Sequence, residues 1–171
     1  MKRLMWGEAR AAIAKKKNDG SGYDTVKTLP SIVENALQLQ TTKGGKQDAT
    51  VEGGRVEAVR YKANTYGLEI QIRKGVENGE SIKLPFDEID GIVDGIWGLR
   101  VQPEDPETGG LTVMETVISV EDTFTAQDGA IWKITFDFIS PLRKADGTKV
   151  PTIDWSPIPN LTAAFGATPK N

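Results

Sequence analysis

The residues of this chain that could do chemistry are carboxylates, hydroxyls and lysines. The 171-residue sequence contains no histidine and no cysteine, which removes the usual general base near neutral pH, the commonest metal ligand and any thiolate site. Two facing carboxylates could support a glycosidase-like reaction, and a Ser/Lys pair could supply a nucleophile and its base. Dense carboxylates, however, usually lie on a solvated surface. We therefore expect no enzyme activity and no catalytic residues.

Three short stretches carry some features of ligand-binding loops. Asp87–Gly91 lacks EF-hand spacing, because no bidentate Glu follows at the twelfth position. Glu104, Asp105 and Glu107 could form a loose Ca²⁺ site, although a solvated loop is the alternative. Gly44–Lys46 lacks the G-x-x-x-x-G-K-[ST] spacing of a phosphate-binding loop. We therefore expect neither a metal nor a cofactor.

Charge is distributed unevenly along the chain, whose net charge is −3. Residues 86–130 contain eleven acidic residues and one basic residue, Arg100. Such an acidic block is unsuited to a nucleic-acid-binding groove. It could repel a polyanion or meet a basic partner surface, and a solvated face is the alternative. The run Lys15–Lys17 lies beside a Gly/Ser loop, which favours a solubilising role over phosphate binding.

The strongest structural pattern is a long β-hairpin with arms at residues 111–125 and 131–140. Asp128 and Gly129 lie between the arms, and Asp-Gly flanked by alternating runs is a strong hairpin signal. The fifteen residues of the first arm would span about 50 Å, whereas an ordinary strand has about five or six residues. A strand this long is expected to pair beyond its own domain. The second arm places four apolar residues on one face: Trp132, Ile134, Phe136 and Phe138.

A second hairpin is predicted from residues 55–61 and 66–74, with its turn at 62–65. The preceding pair Gly53–Gly54 suggests a bulge or a tight turn. A further strand is predicted at 96–101. Alternation in the second arm of this hairpin places four residues on one face: Tyr66, Leu68, Ile70 and Ile72.

Residues 85–95 fit a helix, with Pro85 in the first turn, carboxylates near the N-terminus and Gly95 as a C-terminal cap. Residues 4–17 fit both helix and strand. For residues 35–42 we favour a strand, because β-prone threonines and then a turn follow. The helix would carry an apolar stripe for core packing: Phe86, Ile89, Ile92 and Val93.

These patterns predict a mainly β fold, an antiparallel β-sandwich or barrel with one short flanking α-helix and long β-hairpins. Residues 1–28 are expected to form an N-terminal arm or strand, 29–159 a single β domain, and 160–171 an extended C-terminal tail. No stretch approaches the roughly eighteen apolar residues of a membrane span. Charged residues within the first ten positions interrupt any export signal.

Three phrases resemble the tail-tube (major tail) proteins of long-tailed bacteriophages. They are residues 37–46 (LQLQTTKGGK), residues 51–56 (VEGGRV) leading into 66–70 (YGLEI), and residues 126–136 (AQDGAIWKITF). The resemblance covers about residues 29–159. The first thirty residues depart from it.

The resemblance implies a structural virion protein made in the bacterial host cytoplasm. Six copies would form a ring, their long hairpins would join into one inner β-barrel, and rings would stack into a tube with other tail proteins at its ends. Double-stranded DNA would pass through an acidic lumen without specific binding, and no membrane anchor is expected. The inter-subunit barrel and stacking contacts would then involve seven residues: Tyr66, Leu68, Ile70, Ile72, Ile118, Val120 and Trp97.

The alternative hypothesis is a monomeric carbohydrate- or surface-binding β-sandwich module. Tryptophan rings can stack on sugars, and Trp97 with its neighbouring loops would form the platform. Trp132 is better explained as a core residue. The roles of Trp6 and Trp155 stay open.

Overall fold

Eleven β-strands and one short 3₁₀ helix make up the computed structural model, which describes residues 1–158, 161, 164 and 165. The predicted mainly β, antiparallel fold is confirmed. The strands are β1 (Arg10–Lys15), β2 (Lys27–Thr28), β3 (Gln38–Thr42), β4 (Lys46–Thr50), β5 (Val56–Tyr61), β6 (Thr65–Arg73), β7 (Val76–Glu77), β8 (Glu80–Ser81), β9 (Trp97–Gln102), β10 (Leu111–Thr125) and β11 (Gly129–Phe138), and the 3₁₀ helix is Pro106–Thr108.

Seven strands form one antiparallel sheet in the order β2-β1-β9-β10-β11-β6-β3, while β4–β5 and β7–β8 form separate pairs. The predicted long hairpin is confirmed: β10 has the expected bounds, and it pairs with β11 from Thr116↔Phe138 to Thr125↔Gly129. Within the described residues the sheet does not close into a barrel, so β2 and β3 remain its edges.

One continuous core joins residues from both halves of the sheet, which makes the fold β-sandwich-like. Ile13 of β1 and Leu99 of β9 belong to the same buried cluster as Ile70 of β6 and Phe136 of β11. β10 has a register shift between Val113, which pairs with Leu99 of β9, and Thr116, which pairs with both Trp97 of β9 and Phe138 of β11. Such a bulge bends a strand and increases its twist.

The half of the sheet around β9 is covered on both faces. All six residues of β9 are buried. On the face opposite the main core, Ala14 packs with Ala164 and Phe165 in a second cluster. Gly98 permits this approach, since a Cβ added there would lie 2.5 Å from the Phe165 ring. C-terminal residues therefore complete the fold over β1 and β9.

Arg100 is a buried charge beneath this C-terminal cover. Its Nη1 donates to Thr112 Oγ1 at 2.8 Å and to the Ser156 carbonyl at 3.1 Å. Burial lowers the pKa of the Arg100 guanidinium, and the charge of Asp154 acts in the opposite direction. The backbones of Thr112 and Asp154 exchange two hydrogen bonds, which fixes the C-terminal segment against β10.

The predicted helix at residues 85–95 is wrong, because this segment forms an irregular loop with a tight turn. Ile89 and Ile92 exchange two backbone hydrogen bonds across Asp90 and Gly91, whose φ angles are 51° and 86°. Positive φ at both central residues defines the type I′ hairpin turn, for which Asp-Gly is a preferred pair. The Asp-Gly turn signal therefore outweighed the helical spacing of the apolar residues.

The predicted pairing of residues 55–61 with 66–74 is also wrong. β5 pairs with β4, whereas β6 pairs with β11 and β3. The chain reverses at Gly53 and Gly54, both with positive φ, and not at residues 62–65. The strand expected at 35–42 and the strand expected at 96–101 are confirmed as β3 and β9.

The N-terminal stretch contains a strand of the main sheet. Within the ambiguous stretch 4–17, residues Arg10–Lys15 form strand β1, which pairs along its full length with β9. Most of the predicted tail, residues 160–171, lies outside the described residues.

Candidate interaction surfaces

The first candidate surface is the hairpin β4–β5, here called the arm, with its tip at residues 51–55. Every residue of both strands is exposed. Three large apolar side chains, those of Val56, Val59 and Tyr61, are each about half exposed or more. Successive strand residues point to opposite faces, so Lys46, Asp48 and Thr50 of β4 share one face. A bulge at Glu57 of β5 puts Val56 opposite Thr50, and Val56 therefore lies on the same face as Val59 and Tyr61. The arm therefore offers one face with three large apolar side chains.

The arm continues the ladder that β3 forms with β6. Thr42 pairs with Thr65, and after a break Lys46 pairs with Tyr61. Across the break, Gly44 donates to Asn64 Oδ1 at 2.9 Å, and the Lys62 amide donates to the Gly45 carbonyl at 2.9 Å. The chain therefore runs through residues 43–46 without reversing, contrary to the predicted turn.

An arm of this kind has little intrinsic stability. A two-stranded hairpin without a supporting layer is marginally stable in water, and no residue of this one belongs to a buried cluster within the described chain. Within the described residues, the hydrogen bonds that join it to the rest of the fold lie at the ladder break at its base. Binding to another molecule would bury its apolar side chains and stabilise it.

The second candidate surface is the polar face, the outward face of β10, β11, β6 and β3. Its central cross-strand rows align Ser119, Thr135, Glu69 and Gln38. Glu69 accepts from Gln40 Nε2 at 3.2 Å and lies 3.5 Å from the Lys133 ammonium. The remaining members of these rows are Val117, Asp137, Gly67, Gln40, Glu121, Lys133 and Gln71. These rows are therefore polar, with Val117 as their one large apolar residue, and the row that follows Glu121, Lys133 and Gln71 on the same face contains Thr123, Ile131 and Arg73.

The third candidate surface is the isoleucine turn, residues Ile89–Ile92. Ile89 is 76% exposed and Ile92 is 70% exposed. The Val120 amide donates to the Gly91 carbonyl at 3.1 Å, and Ile92 forms a β-bridge with Ser119. The turn is thus held against the free edge of β10, and it presents two adjacent isoleucines to solvent.

The acidic block of residues 86–130 is divided among several surfaces. Arg3 binds Asp105 and Glu107, with nitrogen–oxygen distances of 2.5 and 2.9 Å. In the same way Lys16 pairs with Glu115, and Lys74 with Asp122 at 2.5 Å. Among the described residues, no ion pair involves the carboxylates near the isoleucine turn, which are Asp87, Glu88, Asp90 and Asp94.

Six of the seven residues predicted to form inter-subunit contacts are buried inside the chain. Leu68, Ile70, Ile72, Ile118 and Val120 all belong to its main core. Their side chains therefore face the core, and the residues between them in sequence form the polar face. Trp97 is buried against Phe86 with ring centroids 5.9 Å apart, and Tyr66 is partly buried against the same core.

The predicted sugar-binding platform at Trp97 is also wrong, because the Trp97 ring is buried. Its Nε1 donates to the Asp94 carbonyl at 2.9 Å. Trp132 packs partly buried against the core, as predicted, with the Lys74 ammonium 5.2 Å from its ring centroid. Trp6 and Trp155 are 72% and 48% exposed.

Neither a metal site nor a deep cavity emerges from the described part of the chain. No group of three or more His, Cys, Asp or Glu side chains is placed to hold a metal ion there. At the suggested Ca²⁺ loop, Asp105 and Glu107 bind Arg3 instead. An open groove of about 670 Å³ lies between residues 30–35 and the segment from Ile72 to Ile82. No helix among the described residues is long and apolar enough to cross a bilayer.

Sequence reasoning missed the arm and the isoleucine turn as surfaces, although signals for both were present. Gly53–Gly54 between two alternating runs is a hairpin signal, and so is Asp90–Gly91 between isoleucines. The chain matches no protein-family model, and it matches no curated protein.

Proposed function

We propose that this chain is a structural virion protein, a subunit of a bacteriophage tail tube built from stacked hexameric rings around a DNA-conducting lumen. The observation that carries this proposal is the arm, whose two strands are exposed on both faces and yet carry Val56, Val59 and Tyr61. Large apolar side chains on an unsupported hairpin favour contact with another chain. In an assembly of identical subunits, that other chain is a second copy of the same protein.

The polar face has the properties that the lumen of such a tube requires. It combines serine, threonine and glutamine with three carboxylates, Glu69, Glu121 and Asp137, and with two cations, Lys133 and, at one end, Arg73. Like-charge repulsion would keep duplex phosphates from adhering, and it needs no specific contact. Double-stranded DNA would therefore slide along this face without being bound.

The free edges of the sheet support closure between subunits. Among the described residues, β3 has no strand on its outer side. The edge of β10 that faces β9 is likewise unpaired there after Val120. Unpaired edges favour pairing with another chain, and a closed barrel removes them all. In such a ring Ile70 and Ile118 would remain in the core of their own subunit. Backbone groups and outward side chains would form the contacts.

The proposed partners are therefore copies of the chain itself and the other tail proteins that begin and end the tube, and its location is the virion. Negative-stain electron microscopy of the purified protein at high concentration tests this proposal. Rings or tubes with a central hole are the expected result. A particle of monomer mass at every protein and salt concentration, measured by light scattering, would count against self-assembly.

A second candidate function is a monomeric carbohydrate-binding module, which the exposure of Trp6 and Trp155 favours. Stacking on a sugar would change the fluorescence of an exposed indole. A saturable fluorescence change with a glycan, lost in Trp155→Ala and accompanied by a monomer mass, would support this function over the tube. No change with any glycan, together with rings, would exclude it.

A further inference from the structure

The isoleucine turn is a rigid projection whose apolar side chains have no cover. Ile89 and Ile92 are joined by two backbone hydrogen bonds of 3.1 and 3.0 Å, and Gly91 is bonded to β10. A Cβ added at Gly91 would lie 2.6 Å from the Val120 carbonyl oxygen, so the turn sits directly on the strand. Exposed apolar pairs held this firmly are preorganised for binding, since little conformational entropy remains to be lost.

The charged residues of the segment that contains the isoleucine turn are all acidic. Residues 84–99 contain four carboxylates and no lysine or arginine. Two cations from other elements reach the ends of this segment: Lys27 donates to the Pro85 carbonyl at 3.4 Å, and the Lys15 side chain lies against Gly95. A partner for this surface should therefore combine apolar side chains with flanking positive charge.

The arm has this combination. Val59 and Tyr61 lie on one of its faces, opposite Asp48 and Lys46 in the register. Residues 43–62 contain five basic and three acidic residues. Two of the cations lie close to the apolar face: the Lys43 ammonium is 5.6 Å from the Tyr61 ring centroid, and Lys46 forms a 3.5 Å ion pair with Asp48.

We propose that the isoleucine turn of one copy packs on the Val59–Tyr61 face of the arm of a second copy. This inference rests on the proposed self-assembly, and it assigns one specific contact within it. The two surfaces belong to different parts of the sheet, since the arm extends from β3 and β6 whereas the turn lies on β10. The contact is therefore heterologous, so each copy provides one arm and one turn, and such contacts produce closed rings or open stacks.

Disulfide trapping tests the contact. The chain contains no cysteine, so only the introduced cysteines can form a disulfide. Val59→Cys and Ile92→Cys are prepared as separate full-length proteins, one carrying a mass tag, and are mixed at high concentration under mild oxidation. A disulfide needs Cβ atoms about 3.5–4.5 Å apart. A non-reducing gel is expected to show a mixed dimer. Leu142→Cys is the matched control, since Leu142 is 90% exposed and lies outside both surfaces.

The contact is overturned if Val59→Cys and Ile92→Cys form no more mixed dimer than Leu142→Cys and Ile92→Cys do. It is also overturned if Val59→Cys instead forms the mixed dimer with Val76→Cys, which would place the arm in the groove beside Ile72. Circular dichroism confirms that each variant is folded. Mixed dimers without rings in electron micrographs would support this contact and contradict the tube. Tubes without mixed dimers would support the tube and contradict this contact.

Discussion

The hairpin β10–β11 and the arm β4–β5 are both antiparallel ladders closed by a glycine-containing turn, but only the first has a core beneath it. In β11 Ile134 and Phe136 are fully buried, and the opposite face is polar. In the arm no strand residue is buried, and the large apolar side chains lie on a solvent-exposed face. The comparison shows that one hairpin is stabilised within its own chain, whereas the other needs contacts from outside it.

A charge in the buried hairpin layer should have the largest effect. Ile70 of β6 is completely buried beneath β11, and an unpaired carboxylate there has no compensating partner. We expect Ile70→Asp to abolish the cooperative thermal transition measured by circular dichroism. Val59→Asp in the arm is the control, and it should retain that transition. Equal behaviour of the two variants would remove the distinction between the hairpins.

A cavity in the same layer should have the next largest effect. Phe136 is fully buried in the main core, so Phe136→Ala removes its packing and leaves a void. We expect the free energy of unfolding to fall by about 3–5 kcal/mol. Urea denaturation monitored by tryptophan fluorescence measures this change. A loss below about 1 kcal/mol would mean that β11 is not the centre of the core.

The two Asp-Gly turns allow a finer comparison. Gly129 has a φ of 77° and open space around it, whereas Gly91 has a φ of 86° and lies against Val120. We expect Gly129→Ala to cost about 1–2 kcal/mol from backbone strain alone. Gly91→Ala should cost clearly more, because the new Cβ also collides with a backbone carbonyl. Chemical denaturation of both variants measures the difference, and a larger cost for Gly129→Ala would contradict the docking of the turn on β10.

The smallest effect on stability should come from the arm. Val59→Ala removes an exposed side chain, and we expect the free energy of unfolding to change by no more than about 0.5 kcal/mol. The same variant should raise the protein concentration at which assemblies form, as measured by light scattering. Leu142→Ala, which truncates an exposed apolar side chain outside the proposed surfaces, is the control for that measurement. If Val59→Ala destabilised the chain as much as Phe136→Ala, the arm would belong to the folded core.

Local pattern was sufficient to predict β10–β11, because strict alternation and a central Asp-Gly pair indicate the same structure. At residues 85–95 the apolar spacing fits a helix, but the segment is fixed by hydrogen bonds with β10, more than twenty-five positions away in sequence for Gly91 and Val120. Such long-range contacts override local propensity.

The pairing of β5 was predicted wrongly although a local signal for it, the Gly53–Gly54 turn, was present. Both faces of β5 are solvated, and the register of a strand is weakly specified when neither face must be buried. The alternation of β5 therefore fits pairing with either β4 or β6. The turn at Gly53–Gly54 places β5 beside β4. The candidate contact surfaces were missed for a related reason, since apolar spacing was taken to indicate burial at Ile89 and Ile92.

Hydrogen–deuterium exchange of the arm amides, compared between dilute and concentrated protein, tests the central claim most directly. In dilute protein the amides of β5 should exchange quickly while those of β11 stay protected, because local stability follows buried contacts. In concentrated protein the β5 amides should become protected as copies assemble. Equal protection of β5 and β11 in dilute protein, or an arm that exchanges at the same rate at every concentration, would contradict the account.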